Sequence, residues 1–256
     1  MEQGLDHSRI AAEPATRRGL SVGVPPLIAE SLVVPVVRRF VRQNPGLALR
    51  LHEDPSVELL DLTALGEIDL AIVYNVSPRA ALQLETVAQD DLQLIGAAHR
   101  PPMRTPGPIA LAEVLGLPLF MPRSGAGLHG MLDEAARQRG VMPDISFRID
   151  GIAPILSLVR EGLGFTCLPY SAVASRIANG ELRARPIVDP VLPGVLSIAA
   201  SATRPRSDAM ERFCRCIRDE PILRLSDSAR RRPGSASIDE ARITGMSTDA
   251  RRAAPP

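Results

Sequence analysis

Residues 117–130 read Leu117-Pro118-Leu119-Phe120-Met121-Pro122-Arg123-Ser124-Gly125-Ala126-Gly127-Leu128-His129-Gly130, and the reading of this stretch decides the fold. Leu117 to Met121 is an apolar run of strand length, and Gly127 to Arg139 has helical character. Ile145 to Asp150 is a second strand-like run, ending on an acid. Strand, glycine loop, helix, strand and acid is the order of a dinucleotide-binding unit, and Gly125-x-Gly127-x-x-Gly130 is its literal signature. Pro122 and Arg123, however, intervene before the first glycine, where the tight turn of such a unit leaves its strand directly. An isolated glycine signature is weak evidence. The stretch therefore poses a choice between an oxidoreductase and a binding module.

Working outward on the N-terminal side, Leu20 to Val24 is β-rich and Pro25-Pro26 stops it. A helix in two pieces follows, because Pro35 lacks an N–H and fits only a first turn. Val36, Val37, Phe40 and Val41 form its apolar stripe up to Arg42, and Asn44-Pro45-Gly46 ends it. Leu47 to Glu53 alternates as a strand. Ser56 is placed to cap a helix over 57–65, closed by Gly66. Asp69 to Tyr74 is a buried strand, so β-α-β-α-β is laid down by residue 75, and right-handed crossovers make that sheet parallel. Leu82 to Ala98 reads as two extended pieces around Asp90-Asp91.

Arg100 to Pro108 holds Pro101, Pro102, Pro106 and Pro108, a linker composition expected to mark a domain crossing. Beyond it the alternation restarts with a helix at 111–115 and the strand, helix and strand already quoted. A helix at 154–161, a strand at 165–168, a helix at 171–178 and a short strand at 182–187 follow. Val195 to Ser201 is again a strand. Asp208-Ala-Met-Glu211 has capping-box spacing and opens a last helix to Arg218. Residues 1–19 are polar and aperiodic, and 221–256 are rich in Ser, Arg, Ala and Pro; both segments are expected to be disordered.

Composition narrows the functions. The 256 residues are 45% hydrophobic and 23% charged, which suits a globular protein with a sizeable core. All 30 basic residues are Arg, which excludes Schiff-base and Walker-type lysine chemistry. Aromatics are 3% with no Trp, too few for single-strand nucleic-acid stacking platforms. The net charge of +1 is divided as +3 over residues 221–256 and −2 over the rest, a poor electrostatic footprint for DNA or an anionic membrane. Cys167, Cys214 and Cys216 are too few for a disulfide framework and indicate a reducing compartment. No apolar signal core and no run of about 18 apolar residues occurs, so a cytoplasmic protein is expected. His7, His52, His99 and His129 show no metal spacing, and Ser124 lacks the glycine of a nucleophile elbow. Neither a metal nor a cofactor is expected, and no catalytic residue is assigned.

Several stretches, in this order, resemble one family. They are Leu-Ser-Val-Gly-Val-Pro-Pro (20–26), Val34-Pro35 through Phe40 to Asn44-Pro45-Gly46 with Leu49 and Leu51, and Gly66-Glu-Ile-Asp69-Leu-Ala-Ile72. Leu158-Val-Arg-Glu-Gly162-Leu-Gly164-Phe-Thr-Cys-Leu-Pro169 and a closing strand and helix over 195–219 complete the set. Over about residues 20–219 the chain resembles the effector-binding domain of LysR-type transcriptional regulators, in detail the nitrogen-assimilation-control branch. The resemblance implies an α/β, two-lobed fold like type 2 periplasmic binding proteins, each lobe a mostly parallel sheet flanked by helices. Lobe one would be 20–97 with 195–220, and lobe two 98–194. A small effector would sit in the cleft, with an antiparallel homodimer, or a dimer with a full-length relative, as the usual assembly. The family's N-terminal helix-turn-helix has no counterpart in the 19 residues before the first strand, so DNA would be reached only through an element absent here.

Ligands of α/β sheets lie beyond the carboxyl ends of strands, where helix N-termini favour anions. The candidates at such ends are Pro26, Leu27 and Ile28; Tyr74 and Asn75; Arg123, Ser124 and Gly125; and Asp150 and Gly151. Thr166 and Pro169 flank the last lobe-two strand and would add a wall. Arg123 is the candidate counter-ion for an anionic metabolite, and Ser124 with the following N–H groups the candidate donors. Each has a plainer role: strand stop, core cap, helix N-cap or solvated arginine. A nicotinamide-dependent oxidoreductase and a periplasmic solute-binding protein are the alternatives.

Overall fold

A computed structural model describes residues 19–122, 126–149 and 151–223. Its elements are β1 (Gly19–Val24), a π-helical segment (Ala29–Val33), α1 (Val34–Gln43), β2 (Ala48–Glu53), α2 (Ser56–Leu65), β3 (Leu70–Tyr74) and β4 (Leu82–Gln89). Then come β5 (Leu92–Gly96), β6 (Ile109–Ala110), α3 (Leu111–Leu115), β7 (Leu119–Pro122), α4 (Ala126–Gln138), β8 (Ile145–Ile149) and α5 (Ile152–Arg160). The chain closes with β9 (Thr166–Pro169), α6 (Tyr170–Ala178), β10 (Arg183–Val188), β11 (Val195–Ser201) and α7 (Asp208–Arg218).

The first sheet has the order β2-β1-β3-β11-β4. β1 runs parallel to β2 and β3, with Leu20 opposite Leu49 and Val22 opposite Leu70. β11 runs antiparallel to both of its neighbours. The second sheet has the order β6-β10-β5-β9, and a parallel bridge between Leu119 and Phe165 sets the β7–β8 pair beside it. There β5 alone opposes its neighbours, so each sheet is mostly parallel with one reversed strand. Both reversals have one cause. β5 enters the second sheet directly from β4 of the first, and β11 returns to the first sheet from β10. A strand that starts at the facing edge must run away from it.

The chain thus changes sheets at Asp90–Asp91 and again over Asp189–Gly194. The proline-rich 100–108 segment is not the crossing, and β5, within 20–97, belongs to the second sheet. That segment is a loop fastened from below. Buried Arg185 donates Nε to the Gly107 carbonyl at 2.9 Å, Nη1 to Pro102 at 3.1 Å and Nη2 to Pro108 at 2.5 Å. The prolines give a composition typical of a linker, but a single guanidinium with three carbonyl partners makes them part of the second sheet's body.

The apolar pattern explains the layers. β3 is buried on both faces: Leu70, Ile72 and Tyr74 join the main core, while Ala71 and Val73 face a second cluster with Leu59, Leu60 and Ile68. α1 and α7 cover the first face, where Phe40 meets Phe213 edge-on at 5.1 Å. α2 covers the other. The main cluster continues without a break into the second sheet through Leu92, Leu94, Phe120 and Phe165. Asp69 locks the register of the Gly66–Ile72 motif, exchanging backbone and carboxylate hydrogen bonds with Ser21 at 2.9 and 2.8 Å.

Two capping expectations shift. Ser56 lies inside α2, whose N-cap is Pro55, and its hydroxyl accepts the Tyr74 N–H at 3.1 Å. α7 is capped by Ser207, one residue earlier than expected, through the Met210 N–H at 3.3 Å. Pro35 does sit in the first turn of α1, and the backbone before it widens into the π-helical segment. The expectations for residues 1–18 and 224–256 lie outside the described residues.

Candidate functional site

In the first sheet the carboxyl ends of β1 and β3 open onto the turns Pro25–Ile28 and Tyr74–Asn75. In the second, β7, β8 and β9 lead toward α4, α5 and α6. The two sets meet at Asn75. Its backbone is left-handed (φ 47°), and its Nδ2 contacts the Met131 sulfur of α4 at 2.7 Å across the gap between the lobes. Asn75 also exchanges hydrogen bonds with Val195, donating its N–H at 3.0 Å and accepting at Oδ1 at 2.7 Å. It is therefore a joint between β3 and the second crossing.

The other predicted residues divide. Pro26 is exposed and Leu27 half-buried at the β1 end, as a cleft wall requires. Ile28 is fully buried, with its N–H bonded to the Pro25 carbonyl at 3.1 Å, so its side chain serves the core. Tyr74 is buried, and its hydroxyl donates to the Asp90 carbonyl. Burial, then the nearby Asp90 and Asp91 charges, hold this phenol well above its ordinary pKa. Gly151 caps α5 with φ 91°, a conformation that glycine adopts freely. Pro169 ends β9 and is the N-cap of α6. Thr166 begins β9, three residues and about 10 Å from that end. Its hydroxyl is buried without a hydrogen-bond partner among the described residues. Arg123, Ser124, Gly125 and Asp150 lie outside the described residues.

The glycine signature resolves through its secondary structure. α4 begins at Ala126, so Gly127 and Gly130 lie inside the helix instead of forming a loop ahead of it. A Cβ at Gly130 would meet nothing within 4 Å, so no close helix–strand packing demands a glycine there. In a dinucleotide fingerprint the third glycine serves that packing.

The residues that sequence reasoning missed are Asp90, Asp91, Gly194 and Met131. The Asp90 carboxylate accepts the Tyr170 and Ser171 N–H groups at 3.0 and 3.1 Å, and Asp91 accepts from Gly194 at 3.3 Å. Two adjacent acids between strand-like runs were the available signal, and they read as a mere break between strands.

A two-sheet α/β protein crossed twice by its chain, with Asn75 at one sheet's strand end against α4 beside the other, is a two-lobed module. The LysR substrate binding domain matches residues 15–221, and the chain belongs to this family, the effector-binding domain of LysR-type transcriptional regulators. It is 28% identical over 215 residues to the nitrogen assimilation regulatory protein nac of Klebsiella aerogenes, covering 81% of this chain and 68% of that one. The nac protein of Escherichia coli K12 is 23% identical over 210 residues, with 80% and 67% covered. Among solved structures, the reduced OxyR regulatory domain of Pseudomonas aeruginosa superposes with a TM-score of 0.66 at 25% identity, over 78% of this chain and 96% of that one. The effector-binding domain of QuiR in complex with shikimate gives a TM-score of 0.64 at 16% identity, over 82% and 97%, and so shares the fold. Among the described residues no helix is long and apolar enough to cross a membrane.

Proposed function

We propose that this chain senses a small anionic metabolite in the gap between its lobes and passes occupancy to transcription as a cytoplasmic, non-enzymatic regulator of the nitrogen-assimilation-control type. The observation that carries the reading is the Asn75–Met131 contact, which brings the β3 turn of lobe one against the early turns of α4. Arg123, Ser124 and Gly125 immediately precede α4 in sequence, and we assign them to the same site. An anion bound there would meet helix N–H groups, the Ser124 hydroxyl and the Arg123 charge. Pro26, Leu27, Gly151 and Pro169 would supply the walls. A ligand that touches both lobes favours one interlobe arrangement over another, and that difference in affinity is the signal. On this reading the lobes divide at Asp90–Asp91 and Asp189–Gly194. A shikimate-bound relative of the same fold supports a carboxylate as the ligand class.

Dimerisation is part of the proposal. Phe147 (58% exposed) of β8, Met142 (89%) just before it, Val34 and Val41 of α1 and Leu51 of β2 are exposed, and β2 and β8 each have one paired neighbour among the described residues. Exposed apolar side chains beside unpaired strand edges suit association with a second copy. Sedimentation of the purified protein is expected to give a dimer that Phe147→Glu weakens.

The test is a thermal-shift screen against small carboxylates, including shikimate, with NAD and NADP alongside. A carboxylate is expected to raise the melting temperature, and Arg123→Gln and Ser124→Trp to abolish that rise while leaving the unliganded melt unchanged. Stabilisation by NAD alone, or a carboxylate response untouched by both variants, overturns the proposal.

A further inference from the structure

α6 follows β9 and so belongs to the second lobe by chain order, and Arg176 pairs with Glu181 there at 3.5 Å, yet most of its polar contacts run to the crossing and the first lobe. Its leading N–H groups, of Tyr170 and Ser171, are both taken by the Asp90 carboxylate. Asp90 is 1% exposed, donates its own N–H to the Gly194 carbonyl at 2.8 Å, and accepts the Tyr74 hydroxyl at its carbonyl. One residue therefore joins β3, both crossings and α6. Further along the helix, Ser31 of the π-helical segment is 3% exposed. Its hydroxyl lies 3.1 Å from the Ala172 carbonyl and 2.9 Å from the Ser175 hydroxyl. At the surface, Arg176 pairs with Glu30 at 3.0 Å.

We propose that α6 is a brace between the lobes, and that Asp90 and Ser31 are positioning residues that set how far the cleft opens. Hinge rotation is absorbed by a few residues where the chain crosses. Here the crossing residue is also a helix cap. A carboxylate on two helix N–H groups away from water is a strong, charge-assisted arrangement. The second lobe cannot turn about Asp90 and carry α6 along without breaking these bonds and those of Ser31. α6 therefore stays with lobe one, and opening is taken up between α6 and the rest of lobe two. Effector sensing in the cleft is what this restraint would serve. The brace itself is tested without an effector, so its failure would leave the sensing proposal standing.

The variants are Asp90→Asn and Ser31→Ala. Nitroxide labels on cysteines introduced at exposed Glu58 of α2 and Ala112 of α3 report the distance between lobes, and the native cysteines are buried. Asp90→Asn keeps one acceptor but sets an amide N–H₂ against a helix N–H. It is expected to add a second, displaced population to the narrow distribution of the parent, and Ser31→Ala to broaden that distribution to a smaller degree. Amide exchange at Tyr170 and Ser171 is expected to quicken about tenfold or more in Asp90→Asn. Distance distributions that superimpose on the parent's, with lowered melting temperatures, would reduce both residues to stabilisers and overturn the brace. If Asp90→Asn does not fold, the Ser31→Ala distribution decides alone: broadening supports the brace and superposition overturns it.

Discussion

Substitution of Gly194 by alanine tests how tightly the crossings are packed. A Cβ at this position would overlap the Tyr74 hydroxyl oxygen and the Asp90 carbonyl oxygen, and would stand 2.6 Å from Tyr74 Cζ. The tyrosine tip could swing away only if there were room, and the ring is buried; the Asp90 carbonyl is backbone, tied through its own N–H to Gly194. Displacing the buried Tyr74–Asp90 hydrogen bond costs about 2 kcal/mol. Forcing an added methyl into a filled site costs about 1–3 kcal/mol more. The sum of about 4 kcal/mol lowers the melting temperature of a domain of this size by about 8–16 °C. Calorimetry of the purified protein measures it. Tyr74→Phe alone removes the hydroxyl and costs about 1–2 kcal/mol. In the double variant one of the two overlaps is gone, so its loss falls short of the sum of the single losses by about 1–2 kcal/mol. Gly194→Ala within about 2 °C of the parent, or strictly additive effects, refutes the packing argument.

Three other outcomes are expected. The Tyr74 phenol is held above its ordinary pKa chiefly by burial, so the folded state retains a proton that the unfolded chain gives up near pH 10. Its contribution to stability is intact below that pH and is lost as pH rises further; in Tyr170→Phe, alkaline phenolate absorbance should appear only with unfolding, and a reversible titration in the native state contradicts this. Burial pushes the Cys167 thiol up to about 12 and Cys214 to about 11, so at pH 8 a thiol reagent should leave both unmodified in the native protein and react with all three cysteines in denaturant. Arg185→Met strands three carbonyls while removing a buried charge, for a net loss of about 3 kcal/mol, and limited proteolysis should then cut within residues 99–108; resistance equal to the parent's shows the loop is held by other means.

Much of the fold was legible because each strand is short, apolar and followed by a helix with its own period. β1, β3, β8 and β11 lie where alternation and apolar runs placed them, and the motif around Asp69 carried the family. The sheet boundary was not legible. Pro101, Pro102, Pro106 and Pro108 resemble a linker locally, whereas what ties them down, Arg185, lies 77 residues or more away in sequence. The surroundings of the strand ends were only partly legible. Strand ends point to Pro26, Leu27, Asn75 and Gly151, but sequence does not say that Ile28 turns into the core or that Tyr74 spends its hydroxyl on Asp90. Gly125-x-Gly127-x-x-Gly130 misleads for the same reason. The signature records glycine spacing and is silent on packing, and a Cβ at Gly130 inside α4 would meet open space.

The reversed position of β11 has a consequence for how the molecule is made. This strand lies between β3 and β4, and nothing earlier in the chain occupies that slot. Residues 92–188 form the second sheet from one uninterrupted length, so that half can complete its pairing as it leaves the ribosome. The first half emerges earlier but must wait, with the inner edges of β3 and β4 bare, until residues 195–201 arrive. Bare strand edges invite wrong partners, and long-range closure is slow. The half that begins first is therefore finished last, and the interval between the two is when a nascent chain of this kind most needs a chaperone.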